Sequence, residues 1–198
     1  MKGREGMKIK PIESIIKNKK SIQIRVEEGG VQWIGDGGAF YPLYGFPKLN
    51  EETIFRFIDV PKDKQHKFTY SEGEFPNGFP TQDAMPGEKL LKIGKIRIQV
   101  AGVLLLPIYT DNGVIFINEK YLAPYRDEEN GYELYERISN GHYLIAVKTG
   151  FLLAGLIAPM KLGEDAETEL CTICSQIAAK PYTETDDPNL QLLEKDAE

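Results

Sequence analysis

Residues 143–158 read YLIAVKTGFLLAGLIA, and this stretch decides the fold class. Two apolar runs are separated by Thr149 and Gly150, which are common turn residues. Each run has the length of a strand and is far shorter than the roughly 20 apolar residues of a membrane-spanning helix. The stretch therefore predicts a β-hairpin in a globular core, with no membrane span.

Similar patterns extend outward from this hairpin. Residues 22–29 (IQIRVEEG) alternate apolar and polar side chains before a glycine turn, which predicts a half-buried strand. Two apolar runs flank Asp111-Asn112-Gly113, and an Asn-Gly pair in that position is typical of a hairpin. Further strands are predicted at residues 31–34, 39–43, 53–60, 67–71 and 95–101, with 67–71 pairing back on 53–60.

Helical periodicity is clearest near the two ends of the chain. Isoleucines at helical spacing predict an amphipathic helix over residues 9–19, and a second helix is expected over 165–180, before Pro181. Residues 119–125 suggest a short helix, whereas 132–139 fit a helix or a strand. Residues 72–87 are rich in glycine, asparagine and proline, which predicts a loop and the best internal boundary.

These elements predict an α+β fold, a mainly antiparallel β-sheet with two or three helices on one face. Segments 22–29 and 143–150 share an order of predicted helix, strand, glycine turn and strand ending near a proline. That order indicates two pseudo-symmetric halves, and the alternative is a chance likeness between hairpins. The predicted organisation is a single β-rich domain at 1–162 with halves 9–72 and 88–162, a C-terminal helical segment at 163–181, and an acidic flexible tail at 182–198.

The net charge of −6 is distributed unevenly over the 198 residues. Residues 1–25 contain eight basic and two acidic residues, whereas the last 36 residues contain ten acidic residues and two lysines. A basic N-terminal region suggests a polyanionic partner, and the alternative is a solvated helix face with a solubilising tail. The candidate nucleic-acid contacts are Lys8, Lys10, Lys17, Lys19, Lys20 and Arg25.

The order of elements resembles one domain of a bacterial DNA sliding clamp. Residues 156–162 (LIAPMKL) are similar to the proline-containing strand that closes the last clamp domain, and 107–118 (PIYTDNGVIFIN) fit a strand pair inside a clamp half. The resemblance implies a sheet outside, helices facing duplex DNA, and Lys8, Lys10, Lys17, Lys19 and Lys20 as the duplex-facing set. A clamp chain holds two or three such domains and this sequence holds one, so ring closure does not follow from the resemblance.

An aromatic segment supports a second hypothesis. Trp33, Tyr41, Tyr44 and Phe46 lie in the stretch 33–46, which contains Pro42 and is followed by Pro47. Aromatic side chains at this density can dock a peptide or stack on bases, and the alternative is that they pack at one end of the sheet. They are the candidate residues of a protein-interaction or regulatory module.

Catalytic motifs and metal-ligand sets are absent from the sequence, so we expect no catalytic residues, no metal and no cofactor. His66 and His142 are predicted to lie on the surface. Cys171 and Cys174 are predicted to form a buried pair of thiols. An enzyme using Asp36, in the turn Gly35-Asp36-Gly37-Gly38, is a third and weaker hypothesis. We see no signal peptide and no disulfide framework, so a reducing, cytoplasmic location is expected.

The favoured hypothesis is therefore a non-catalytic binding or assembly protein. It would be a clamp-like accessory factor of nucleic-acid metabolism, of viral or prophage type. Its expected partners are duplex DNA or a replication-type protein, with self-association into a homo-oligomer as a further expectation.

Overall fold

The computed structural model describes residues 8–126, 131–139 and 141–179. The predicted acidic tail, Lys180 and the acidic residues 127–129 lie outside the described residues. The helices are α1 (Ile9–Lys19), α2 (Glu51–Phe57), α3 (Lys62–Gln65), a 3-10 helix (Glu119–Tyr125) and α4 (Glu164–Ala179). The strands are β1 (Ser21–Val26), β2 (Gln32–Gly35), β3 (Ala39–Pro42), β4 (Thr69–Glu74), β5 (Lys89–Leu90), β6 (Lys92–Ile93), β7 (Ile98–Val100), β8 (Val103–Thr110), β9 (Gly113–Asn118), β10 (Glu133–Ser139), β11 (His142–Thr149) and β12 (Leu152–Ile157).

The predicted α+β fold is confirmed. An eight-stranded sheet has the order β4-β1-β2-β3-β12-β11-β10-β5, and its neighbours are antiparallel except β1 and β4. The meanders β1-β2-β3 and β10-β11-β12 both run from an outer position to the centre, where β3 pairs with β12. The strands predicted at 22–43 and 143–158 therefore belong to one sheet. A second, smaller sheet is built on β8, which pairs with β6, β7 and β9.

The main core lies on one face of the large sheet. Ile22 and Ile24 of β1 and Ile145 and Val147 of β11 are fully buried there, as the alternation predicts for a sheet with one core face. The same core contains Ile12, Ile15 and Ile16 of α1. It also includes apolar side chains of α2, of the 3-10 helix and of one face of the small sheet. Helix α4 packs on the opposite face of the small sheet, with Cys174 buried beside Leu105, Val114 and Phe116.

The prediction of a strand at 53–60 is wrong, because these residues form part of helix α2 and the turn after it. The Asn50 side chain accepts a hydrogen bond from the Thr53 N–H, and the Thr53 hydroxyl accepts one from the Asn50 N–H. This reciprocal capping box, with Glu51 and Glu52 in the first turn, favours a helix start. Ile54, Phe55 and Ile58 then face the core at helical spacing.

The predicted partner of 67–71 is also wrong. Strand β4 pairs in parallel with β1, from Ser21 opposite Thr69 to Val26 opposite Glu74. Parallel neighbours need a crossover connection, and β2, β3, α2 and α3 supply it. Residues 132–139, for which a helix and a strand were both predicted, form strand β10 over 133–139. No helix therefore immediately precedes β11, unlike the predicted repeat, and the division into halves 9–72 and 88–162 stays a prediction.

The predicted loop at 72–87 does not stand apart from the sheet. Residues 75–88, here called the strap, contain neither helix nor strand and lie across the second face of the large sheet. Phe75 and Phe79 of the strap cover Trp33, Leu153 and their neighbours, which form a separate apolar cluster. Both faces of the central strands are therefore covered.

Candidate nucleic-acid interface

Four lysines line one groove at the C-terminal end of α1. Lys17 and Lys20 come from α1 and its cap, and Lys64 and Lys67 come from α3 and the turn after it. The groove has a volume of about 410 Å³, and Val60, Pro61 and Phe68 form its apolar surface. We call it the lysine groove.

Local structure explains why these lysines face solvent together. The buried isoleucines of α1 hold its opposite side outward, and Lys20 ends the helix in a left-handed conformation, with φ of 53°. The Thr69 N–H donates to the Lys20 carbonyl at 2.9 Å, which ties the start of β4 to the end of α1. Because Lys67 lies two residues before Thr69, the β1–β4 pairing brings the two lysine pairs to the same groove.

The groove keeps a positive balance despite acidic neighbours. The charged residues of its lining are four lysines and one aspartate. Lys17 lies 3.8 Å from Glu13, one helical turn away, and Asp59 is part of the groove wall. This pair is partly exposed, with side chains 35% and 24% exposed, so it is screened and the lysines keep most of their attraction for an anion.

The structure separates the six basic residues predicted as nucleic-acid contacts. Lys17 and Lys20 line the groove, but Lys19 lies 3.9 Å from the carboxylate of Asp36. Arg25 donates to the carbonyl and hydroxyl of Ser71, within the β1–β4 pair. Lys8 and Lys10 lie at the other end of α1, roughly 10–15 Å along the helix axis from Lys17.

Lys64 and Lys67 were missed as site residues because 53–60 and 67–71 were predicted to be paired strands, with Lys64 in the loop between them. The signal that could have found them is the density of lysines between Lys62 and Lys67. Their position next to α1 depends on the parallel pairing of β4, which local sequence does not encode.

The four predicted partner-binding aromatics divide into two groups. Trp33 and Tyr41 have 0% exposed surface, and so they belong to the interior. Tyr44 and Phe46 are each 42% exposed, and the Phe46 ring meets Phe57 edge-on at a centroid distance of 5.5 Å. Only Tyr44 and Phe46 can contribute to a surface patch.

Asp36 is a buried carboxylate that binds the turn around it. It accepts hydrogen bonds from the N–H groups of Gly38 and Ala39, at 2.9 and 3.2 Å, and from the Tyr121 hydroxyl at 3.0 Å. The Lys120 ammonium lies 3.4 Å away. These donors hold the carboxylate inside the fold, so its geometry is that of a structural link between the turn and the 3-10 helix.

The tyrosines beside Asp36 are protonated hydrogen-bond donors. Burial, together with the negative charge of Asp36, raises the pKa of Tyr121 well above its usual range. The Tyr41 hydroxyl donates to the Tyr121 carbonyl at 3.0 Å, and burial also raises the pKa of Tyr41. Neither phenol is poised for proton transfer near neutral pH.

A second ionic cluster fixes the strap. Glu88 accepts two hydrogen bonds from Arg137, at 2.9 and 3.1 Å, and a further one from Lys148. Arg137 also donates to the carbonyls of Pro80 and Asp83, at 2.8 and 3.2 Å. The side chains of Arg137 and Lys148 are 1% and 7% exposed, so this network is buried under the strap.

The histidine and cysteine positions offer no metal site in the described part of the chain. His66 is exposed, and the side chain of His142 is not described. Cys171 donates to the Val114 carbonyl at 3.2 Å, and burial raises the pKa of the Cys174 thiol. Within residues 8–126, 131–139 and 141–179, no three histidine, cysteine or acidic side chains are grouped to hold a metal ion.

Comparison with known proteins finds no match for this chain. No family model, no curated protein and no solved structure matches it. None of the described helices is both long and apolar enough to cross a membrane.

Proposed function

We propose that this protein is a non-catalytic nucleic-acid-binding protein that contacts the phosphate backbone of duplex DNA through the lysine groove. The observation that carries the proposal is the convergence of Lys17, Lys20, Lys64 and Lys67 on one groove from two separate parts of the chain. Lysine ammonium groups bind phosphate as point charges, without reading base sequence. The expected binding is therefore insensitive to sequence and sensitive to salt.

We include in this proposal a clamp-like mode of DNA binding, which the sliding-clamp resemblance implies. A continuous sheet with α1 on one face supports it, because the isoleucines of α1 are buried against the core while Lys17 and Lys20 line the groove. Ring closure around DNA is outside the proposal. A clamp-like accessory role of viral or prophage type, a replication-type protein partner, self-association and a cytoplasmic location belong to the same proposal.

The alternative proposal is a protein-interaction module, and one observation favours it. Tyr44 and Phe46 are exposed aromatics separated by one residue, Phe46 contacts Phe57 of α2, and such side chains are enriched at protein interfaces. Replacing both with serine should abolish partner recovery in a pull-down and leave DNA binding unchanged.

The proposal is tested by the anisotropy of a short fluorescein-labelled duplex, titrated with protein at several KCl concentrations. Each phosphate contact contributes about 0.9 to the slope of log K against log salt. Four contacts predict a slope near −3.6 for the groove, and a loss of affinity of roughly a hundredfold between about 50 and 200 mM salt. Changing Lys17, Lys20, Lys64 and Lys67 to glutamine should remove most of this slope.

Two comparisons control for net charge. The first changes only Lys64 and Lys67 to glutamine; both residues are exposed, and their backbone N–H groups donate within the turn. The second changes Lys92 and Lys161, which are also exposed but lie elsewhere. Both double variants lose two positive charges, and only the first should weaken binding. Equal weakening by both, or no duplex binding at low salt, would contradict the proposal.

A further inference from the structure

A second groove, at the other end of the β1–β4 pair from the lysine groove, combines carboxylates with aromatic rings. It lies between the β1–β2 turn and the start of the strap and has a volume of about 780 Å³. Glu27, Glu28 and Glu74 stand along it, and Phe75 and Phe79 supply its aromatic surface. Its described lining contains no lysine, arginine or histidine. We call it the acidic groove.

The aromatic surface of this groove is ordered by packing. The rings of Phe75 and Phe79 stack in parallel, with centroids 4.4 Å apart and planes 6° from each other. Phe75 meets Trp33 edge-on at 5.8 Å, and the Trp33 indole donates to Glu27 at 2.9 Å. Both phenylalanines remain partly exposed, so the groove presents ring surface and carboxylates side by side.

The backbone of the groove is also held in place. The strap is anchored further along by Arg137, which donates to the Pro80 and Asp83 carbonyls. The Asp83 carboxylate accepts a hydrogen bond from the Leu153 N–H at 2.8 Å. On the walls, a Cβ added at Gly30 or Gly78 would meet no atom within 4 Å, so space beside the backbone is open to a ligand. A groove built in this way needs little ordering when it binds.

We propose that the acidic groove is a docking site for an extended peptide segment that carries lysine or arginine side chains. The charge of the groove is complementary to such a segment, because carboxylates pair with ammonium or guanidinium groups. The faces of the aromatic rings attract the same cations through cation–π interactions. The open glycine walls admit a peptide backbone. This site is independent of the lysine groove, and its partner is a basic protein segment.

The test uses a fluorescein-labelled peptide in which lysine and arginine alternate with glycine, measured by anisotropy and by the fluorescence of Trp33, the one tryptophan of the chain. Saturable binding that weakens with salt and changes the Trp33 signal is expected. Changing Glu28 and Glu74 to glutamine should weaken binding about tenfold. Phe79→Leu, which keeps apolar volume but removes the stacked ring, should weaken it about threefold.

The matched control changes Glu51 and Glu52, two exposed acids on α2, to glutamine. It removes the same net charge and should leave affinity within twofold. Circular dichroism and thermal unfolding establish that each variant is folded. Equal weakening by the two glutamate pairs would overturn the proposal, because attraction to net charge would then explain binding. Absence of saturable binding, or displacement of the peptide by spermidine at an equal charge concentration, would also overturn it.

Discussion

Replacing Glu88 with glutamine should destabilise the protein, because Glu88 is the counter-ion of two buried cations. Its carboxylate lies between Arg137 and Lys148, whose side chains are 1% and 7% exposed, and is itself 12% exposed. Glutamine keeps the size of the side chain but removes the negative charge. The variant would leave two positive charges under the strap without their partner.

The magnitude follows from this burial. Removing one partner of a buried ion pair typically costs about 3–5 kcal/mol. Glu88 retains some contact with water, and a glutamine oxygen can still accept one hydrogen bond. We therefore expect a cost at the lower end of this range, a loss of about 3 kcal/mol in the free energy of unfolding. This loss is equivalent to a fall in Tm of roughly 6–12 °C for a chain of this size.

The assay is urea unfolding followed by Trp33 fluorescence, since Trp33 lies under the strap. The midpoint should fall while the m-value is unchanged. The control is Asp111→Asn, which breaks the exposed Lys89–Asp111 pair, with side chains 58% and 69% exposed, and should leave the midpoint unchanged. A loss under about 1 kcal/mol for Glu88→Gln would refute the view that buried charge holds the strap.

Three further predictions concern the pH dependence of the Glu88 network, the packing at Gly38 and the cap of α2. Burial raises the pKa of Glu88, but the hydrogen bonds from Lys148 and Arg137 outweigh this effect and lower the pKa below its ordinary value. The stabilisation is therefore complete above the unfolded-state pKa and is lost as the pH falls toward the folded-state value, so the stability difference between wild type and Glu88→Gln should shrink below about pH 4. Gly38→Ala places a Cβ 2.1 Å from the Tyr121 hydroxyl and should cost about 2–3 kcal/mol in urea unfolding, whereas Gly73→Ala, in open space, should be nearly neutral. Asn50→Ala removes the α2 cap and should cost about 1 kcal/mol by the same measurement, and no loss would contradict the capping assignment.

Local sequence patterns were sufficient to predict the elements whose contacts are close in sequence. The β11–β12 hairpin, the β8–β9 hairpin and helix α1 follow from apolar periodicity and turn residues within about 20 positions of each other. The same reasoning failed for α2, because Ile54, Phe55 and Ile58 fit either a strand or a helix. The deciding information was the cap at Asn50, which periodicity does not register.

Nonlocal pairing explains what the sequence could not predict about the site. Lys17 and Lys20 belong to a basic helix that composition revealed, but Lys64 and Lys67 reach them only through the parallel contact of β4 with β1. A parallel pair has no turn signature, since its connection runs through several other elements. Burial of Trp33 likewise depends on the strap, whose position is fixed by Arg137 on a distant strand.

The most direct test of the lysine groove is an NMR titration of the ¹⁵N-labelled protein with a short DNA duplex at low salt. We predict that the amide chemical-shift changes are concentrated in residues 17–20 and 59–68 and are suppressed when the salt concentration is raised. Shift changes spread over the whole surface, or confined to the acidic groove or to the Tyr44–Phe46 patch, would contradict it.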